Sequence, residues 1–214
     1  MLKRTHQTAA VGLAVITTYA AYRSNNFHCG IHPYLAVFIT TNAAMLGGVA
    51  PDLDVPWENV PEKNPIKFVL NKLIYLAGDG HRSRLTHSID LTILMCAAFV
   101  FSERILDIIK GYTDVALTQS TLDIAALILL GFISGWVSHI LADMATSAGV
   151  RLVFWGNTKV RFFPKKIGKF KFSTGEAWED FFCFVASKIN IVLWILYFAP
   201  SLGVSIYQRL RGFL

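Results

Sequence analysis

Apolar residues in this chain fall in long runs separated by shorter polar and basic stretches. Runs at about 7 to 23, 33 to 50, 89 to 109, 122 to 142 and 189 to 207 each approach the ~20 residues that carry a helix across a bilayer. They predict an all-α fold: a polytopic membrane helical bundle of about four to five transmembrane helices, forming one integral membrane domain over residues 1–214. The first two runs are the least hydrophobic. Their Thr, Ala and Gly content predicts helices packed against other helices, because small residues let backbones approach closely. Between the second and third runs, residues 56 to 78 set Ile66, Phe68, Val69, Leu70, Leu73, Ile74 and Leu76 among lysines, the pattern of a short amphipathic helix lying on the membrane surface. Residues 151 to 172 alternate aromatic and basic groups and predict a loop or short hairpin at the interface.

Composition agrees with a chain largely dissolved in lipid. Hydrophobic residues make up 54% and charged residues only 16%, too apolar for an ordinary soluble domain. The net charge of +6 therefore bears on topology first. Lys63, Lys67, Lys72, Arg82 and Arg84 fall between residues 51 and 88, and Arg151, Lys159, Arg161, Lys165, Lys166, Lys169, Lys171 and Lys188 between 147 and 188. The stretch 24 to 32 has neither Lys nor Arg, and 110 to 121 has only Lys110. With Lys3 and Arg4 at the start, the positive-inside bias places the N-terminus and the loops 51–88 and 147–188 in the cytoplasm. Arg209 and Arg211 run against that scheme if the fifth run crosses fully. Basic and aromatic residues beside a membrane point to lipid headgroups as partners and not to nucleic acid. Thr17, Thr18 and Tyr19 interrupt the first run, which argues against a secretory signal. Cys29, Cys96 and Cys183 are odd in number and far apart, so neither a disulfide framework nor a thiolate zinc knuckle is indicated.

Metal-ligand residue types cluster where the runs end. His6 stands at the start of the first, Asp52 and Asp54 follow the second in Pro51-Asp52-Leu53-Asp54, His81 and His87 precede the third, and His139 and Asp143 close the fourth. Spans of alternating direction bring these four places to one membrane face. His139 and Asp143 share a helical face at their spacing of four. Closely spaced carboxylates after a helix-ending proline offer hard oxygen ligands. Ionisable groups at membrane depth are costly and tend to be functional. Three imidazoles and two carboxylates from His6, Asp52, His87, His139 and Asp143 suit zinc, with manganese or iron as alternatives, better than calcium. More than four candidate ligands also leaves room for two metals. Asp54 or His81 is placed to serve as base or to orient a ligand. Arg82 and Arg84, near a helix start that Thr86 or Ser88 caps, suit a phosphate.

These residues resemble the LexA-regulated, membrane-bound, metal-dependent hydrolase family (YdjM-like). The resemblance rests on Thr5-His6, Pro51-Asp52-Leu53-Asp54, His81-Arg82 with Thr86-His87-Ser88, and His139 with Asp143 leading to Thr146 and Gly149. It covers the chain from His6 to about Trp155; beyond that, Glu176 and Glu179 are only further candidate ligands. That family is distantly similar to the zinc-dependent phospholipase C group, which implies a helical metal site and hydrolysis of a phosphoester. The sequence reading is accordingly a multi-pass bacterial inner-membrane hydrolase with a divalent metal at its cytoplasmic face. Catalysis is assigned to Asp54, His81 and Arg82, substrate binding to Arg82 and Arg84, and the substrate is a lipid or other phosphoester. An ion transporter, or a non-catalytic membrane protein with a structural metal, is the alternative.

Overall fold

A computed structural model describes residues 3–24, 29–54, 65–77, 86–101, 104, 118–146, 149–151, 153, 156, 158–162 and 177–211. Helix α1 covers Lys3–Arg23 and α2 covers Pro33–Gly47, followed by a 3-10 turn at Pro51–Asp54. Helix α3 spans Pro65–Ala77, α4 Ile89–Val100 and α5 Gln119–Met144. A two-stranded hairpin, β1 at Val150–Arg151 and β2 at Lys159–Val160, precedes the long helix α6 over Ala177–Arg211.

Local sequence accounts for these boundaries. Pro33 begins α2, where its fixed φ suits the first turn and its missing N–H costs nothing. Thr118 caps α5 by accepting a hydrogen bond from the Thr121 N–H. Pro51 lacks the amide that a continuing helix would need, and the chain tightens there into the 3-10 turn.

Helices α1, α2 and α5 pack mutually, and α6 lies along α1. Close approach is possible because glycines face backbone. A Cβ at Gly135 would stand 2.1 Å from the Ala44 carbonyl oxygen, and one at Gly131 would stand 2.2 Å from that of Thr40. The Gly131 and Gly135 pair, one helical turn apart, thus lets α5 lie directly against the α2 backbone at Thr40 and Ala44. Ala10, Ala14 and Ala44 fill the seam with α1. Hydroxyls join the same seam. Thr18 donates to Thr40 Oγ1 at 2.8 Å, and Thr17 and Ser134 are hydrogen-bonded at 2.8 Å. At the end remote from His6, Asp123 accepts from the Gly30 N–H at 2.8 Å and from Gln119 Nε2 at 2.9 Å, tying the α1–α2 connection to the start of α5.

Among the described residues, three helical stretches are long and apolar enough to cross a membrane: Pro33–Asp54, Gln119–Met144 and Asp180–Tyr197. The run at 122 to 142 falls within the second of these. The run at 7 to 23 is helical but is not among the three, since α1 sits against α2, α5 and α6 and so need not be apolar on every side. The run at 89 to 109 contains the 12-residue α4 and a helical Arg104, with residues 102, 103 and 105 to 109 outside those described. The last run starts earlier than expected, and its helix extends from Ala177. Contacts pair low with low and high with high numbers, as in Thr8 with Cys183 and Tyr19 with Tyr197, so α6 runs parallel to α1. Side chains Phe181, Phe184, Ile191 and Leu196 on α6 point outward, as suits a lipid-facing surface.

The expected surface helix is α3. Phe68, Val69, Leu73 and Leu76 are exposed, while Asn71 is buried and donates from Nδ2 to the Leu53 carbonyl at 2.6 Å. The polar contact docks α3 on the 3-10 turn and leaves Phe68, Val69, Leu73 and Leu76 outward. The expected interfacial hairpin is the antiparallel pair of Val150 with Val160 and Arg151 with Lys159. Val150 is buried against Ile140 and Met144, and Phe162 N–H donates to the Met144 carbonyl at 2.8 Å.

Candidate metal centre

Three imidazoles and three carboxylates meet at one end of the bundle. Helix α1 delivers His6 from its first turns, the 3-10 turn after α2 delivers Asp52 and Asp54, the residue before the α4 cap delivers His87, and the last turns of α5 deliver His139 and Asp143. The hairpin fixes the His87 segment, because Ser88 forms a parallel bridge with Arg151. The Gly135 contact fixes His139. One turn past that contact, the ring reaches back across the seam and Nδ1–H donates to the Gly48 carbonyl at 2.7 Å.

The hydrogen bonds determine which ring nitrogens carry lone pairs. Thr86 donates its hydroxyl hydrogen to Asp54 Oδ2 in a short contact, so its oxygen is left to accept. His87 Nδ1 lies 2.9 Å from that oxygen and 3.1 Å from Asp54 Oδ2. It must therefore be the donor. Since Nδ1–H is committed on both rings, the neutral tautomers of His87 and His139 each present a bare Nε2. Those two Nε2 atoms face one another at 3.1 Å. Two lone pairs cannot share such a contact unless a cation or a proton lies between them.

Asp143 favours the cation. Its Oδ2 lies 3.5 Å from His87 Nε2 and 3.8 Å from His139 Nε2, beyond hydrogen-bond range in both cases. A point equidistant from the three atoms lies about 2.0 Å from each, the ordinary length of a zinc–nitrogen or zinc–oxygen bond. Two more groups stand beside this triangle. His6 stacks on His139 with centroids 3.8 Å apart and planes at 16°, and its Nε2 lies 3.8 Å from Asp143 Oδ1. Asp52 Oδ1 lies 3.7 Å from His139 Nε2. The ligand atoms thus form two groups, His87 with His139 and Asp143, and His6 with Asp52 and His139. With Nδ1 protonated, His139 has a single ligating lone pair, on Nε2, so the groups compete for it as a terminal ligand. The donor set of nitrogens with carboxylate oxygens fits zinc, manganese or iron chemistry.

Burial separates the roles. His6, His87, His139 and Asp143 are at most 2% exposed and Asp54 is 0% exposed, whereas the Asp52 side chain is 31% exposed. The centre therefore opens to its surroundings on the Asp52 side. Asp54 points at His87 Nδ1 and away from any opening, the position of a carboxylate that orients a ligand ring. Ser88 takes the capping position of α4 but makes no side-chain capping bond, and its buried Oγ has no hydrogen-bond partner among the described residues. Thr86 is turned to Asp54 instead of the helix. Its part in holding His87, and that of the Gly48 carbonyl in holding His139, were not read from the sequence. A hydroxyl directly before a histidine is a weak signal, and a backbone carbonyl gives none. His81, Arg82, Arg84 and Glu176 lie outside the described residues; Glu179 is on α6, with its side chain also outside them.

A bundle of apolar helices enclosing imidazoles and carboxylates at one end defines a membrane protein with the means to bind a metal. The sequence pattern of the YdjM inner membrane protein family matches residues 1–212, and the chain belongs to that family. No curated protein and no solved structure matches it.

Proposed function

We propose that the protein is a metal-dependent hydrolase of the inner membrane, its centre facing the cytoplasm, that cleaves a lipid or lipid-linked phosphoester. The observation that carries the reading is the facing pair of Nε2 atoms, 3.1 Å apart with both Nδ1–H groups committed elsewhere. His87, His139 and Asp143 would hold the ion, with His6 and Asp52 as further candidate ligands. A divalent metal held there supplies Lewis acidity and an activated water. Asp54 and the Gly48 carbonyl keep the two rings in the ligating tautomer. The exposed side of Asp52 is the approach for substrate. Arg82 and Arg84 remain the candidates for holding a phosphate, and His81 for proton transfer. The Lys and Arg distribution supports the cytoplasmic orientation. Transport is disfavoured because the hydroxyls deeper in the bundle, Thr17, Thr18, Thr40 and Ser134, are spent on helix-to-helix hydrogen bonds.

The test is turnover. Purified protein in nanodiscs, supplied in turn with zinc, manganese and iron(II), is incubated with a panel of phospholipids and lipid-linked phosphates, and products are followed by mass spectrometry. Metal-dependent release of a phosphorylated headgroup or of phosphate, lost in His87→Ala, supports the proposal. A folded, metal-loaded protein that turns over none of them overturns it in favour of a structural metal.

A further inference from the structure

A cavity of about 550 Å3 opens between the N-terminal ends of α1 and α6, lined by Arg4, Thr5, Asp180, Phe184, Ser187 and Lys188 among others. Its size lies in the range of small-molecule sites. It adjoins the contact between the two helices. Further along, they are clamped: Thr8 is hydrogen-bonded to Cys183 Sγ at 3.3 Å, Asn190 Nδ2 donates to the Thr8 carbonyl at 2.8 Å, and a Cβ on Gly12 would stand 2.3 Å from Asn190 Oδ1. Cys183 also lines the cavity, which therefore lies beside this clamp.

The lining carries charges of both signs that do not neutralise one another. Among the described residues, neither Arg4 nor Lys188 makes an ion pair with Asp180, and the Lys188 ammonium instead lies 5.3 Å from the Phe184 ring centre. Because α1 and α6 are parallel, their positive helix ends point to the same place, and the first turn of α1 carries no acidic residue to offset its own. Two cations and a helix end suit a phosphate. Asp180 suits a positive group carried by the same ligand, and Phe184, 60% exposed on the lipid-facing side of α6, suits an acyl chain.

We propose that this cavity binds a zwitterionic aminophospholipid, its phosphate between Arg4 and Lys188, its ammonium toward Asp180 and its chain along Phe184. Thr5, which lines the cavity, is adjacent in the chain to His6 of the metal centre. The site requires no metal, so it stands or falls apart from the hydrolase reading.

Delipidated protein in detergent, stripped of metal with a chelator, is titrated with short-chain phosphatidylethanolamine and, separately, phosphatidylglycerol, and binding is read by native mass spectrometry. Wild type is expected to prefer phosphatidylethanolamine. Arg4→Ala and Lys188→Ala should each weaken binding of either lipid about fivefold, the loss expected for one basic residue at a lipid surface. Asp180→Asn should weaken phosphatidylethanolamine alone and so erase the preference. His139→Ala should bind as wild type does. Helical circular dichroism and a single size-exclusion peak matching wild type report that the three cavity variants are folded. Equal or tighter binding of phosphatidylglycerol by wild type, or unchanged binding in the folded Arg4→Ala/Lys188→Ala double variant, overturns the proposal.

Discussion

Asp54→Asn isolates the carboxylate that orients a ligand without touching the ligands themselves. In the wild type the fully buried Asp54 Oδ2 accepts from Thr86 and from His87 Nδ1–H at 3.1 Å. Asparagine keeps the shape and one carbonyl acceptor but removes the charge. Hydrogen bonds to a charged acceptor contribute about 1.5–3 kcal/mol and neutral ones about 0.5–1.5 kcal/mol. The hold on the ligating tautomer therefore falls by about 1.4 kcal/mol, or about tenfold in metal affinity. Asp54→Ala removes the carboxylate altogether and should cost up to about 100-fold, the upper range for loss of a group that orients a metal-bound histidine. Competition against a chromophoric chelator in detergent measures both affinities. The expected order is wild type, then Asn, then Ala, with metal still bound by Asn at saturation. Asn binding as tightly as wild type refutes the orienting role, and loss of all binding in Asn would make Asp54 a ligand instead.

Other variants probe the supports of the centre. In Gly135→Ala the new Cβ would meet the Ala44 carbonyl oxygen at 2.1 Å, so α2 and α5 must part; about 1–3 kcal/mol of overpacking strain should lower the melting temperature in detergent and weaken metal binding together, and an unchanged melt contradicts the close packing. Asn71→Ala removes the 2.6 Å bond to the Leu53 carbonyl, worth about 1 kcal/mol, and should speed hydrogen exchange around Asp52 to Asp54 while leaving the other end of the bundle protected. Asp123→Ala breaks the ties to Gly30 and Gln119 at the remote end; it should lower thermal stability with metal stoichiometry intact, and loss of metal would show that the two ends are coupled.

The residues that gather at the candidate centre were legible because each is a costly residue beside an apolar run, and alternating spans leave few ways to arrange those places. Spacing also placed His139 and Asp143 on one face. What escaped the sequence depends on contacts between segments far apart in the chain. The hold of Thr86 and Asp54 on His87 joins residues 32 and 33 positions apart, and the Gly48 carbonyl reaches His139 across 91. Backbone acceptors carry no side-chain signature. The third run can be followed over helix α4 as far as Val100, and its residues 105 to 109 lie outside the described residues. The first run reads as a span by length, yet α1 begins at Lys3 and carries His6 inside the helix, enclosed by neighbours that lift the demand for an apolar surface.

The central claim is that a divalent ion, and not a proton, lies between His87 and His139. Metal content by inductively coupled plasma mass spectrometry, on protein purified without chelators and with metal supplied, tests it beside a His139→Ala/Asp143→Ala variant matched for helicity. The account predicts at least one zinc, manganese or iron per wild-type chain and its loss from the folded variant. Negligible metal in both would contradict it and leave the two imidazoles sharing a proton.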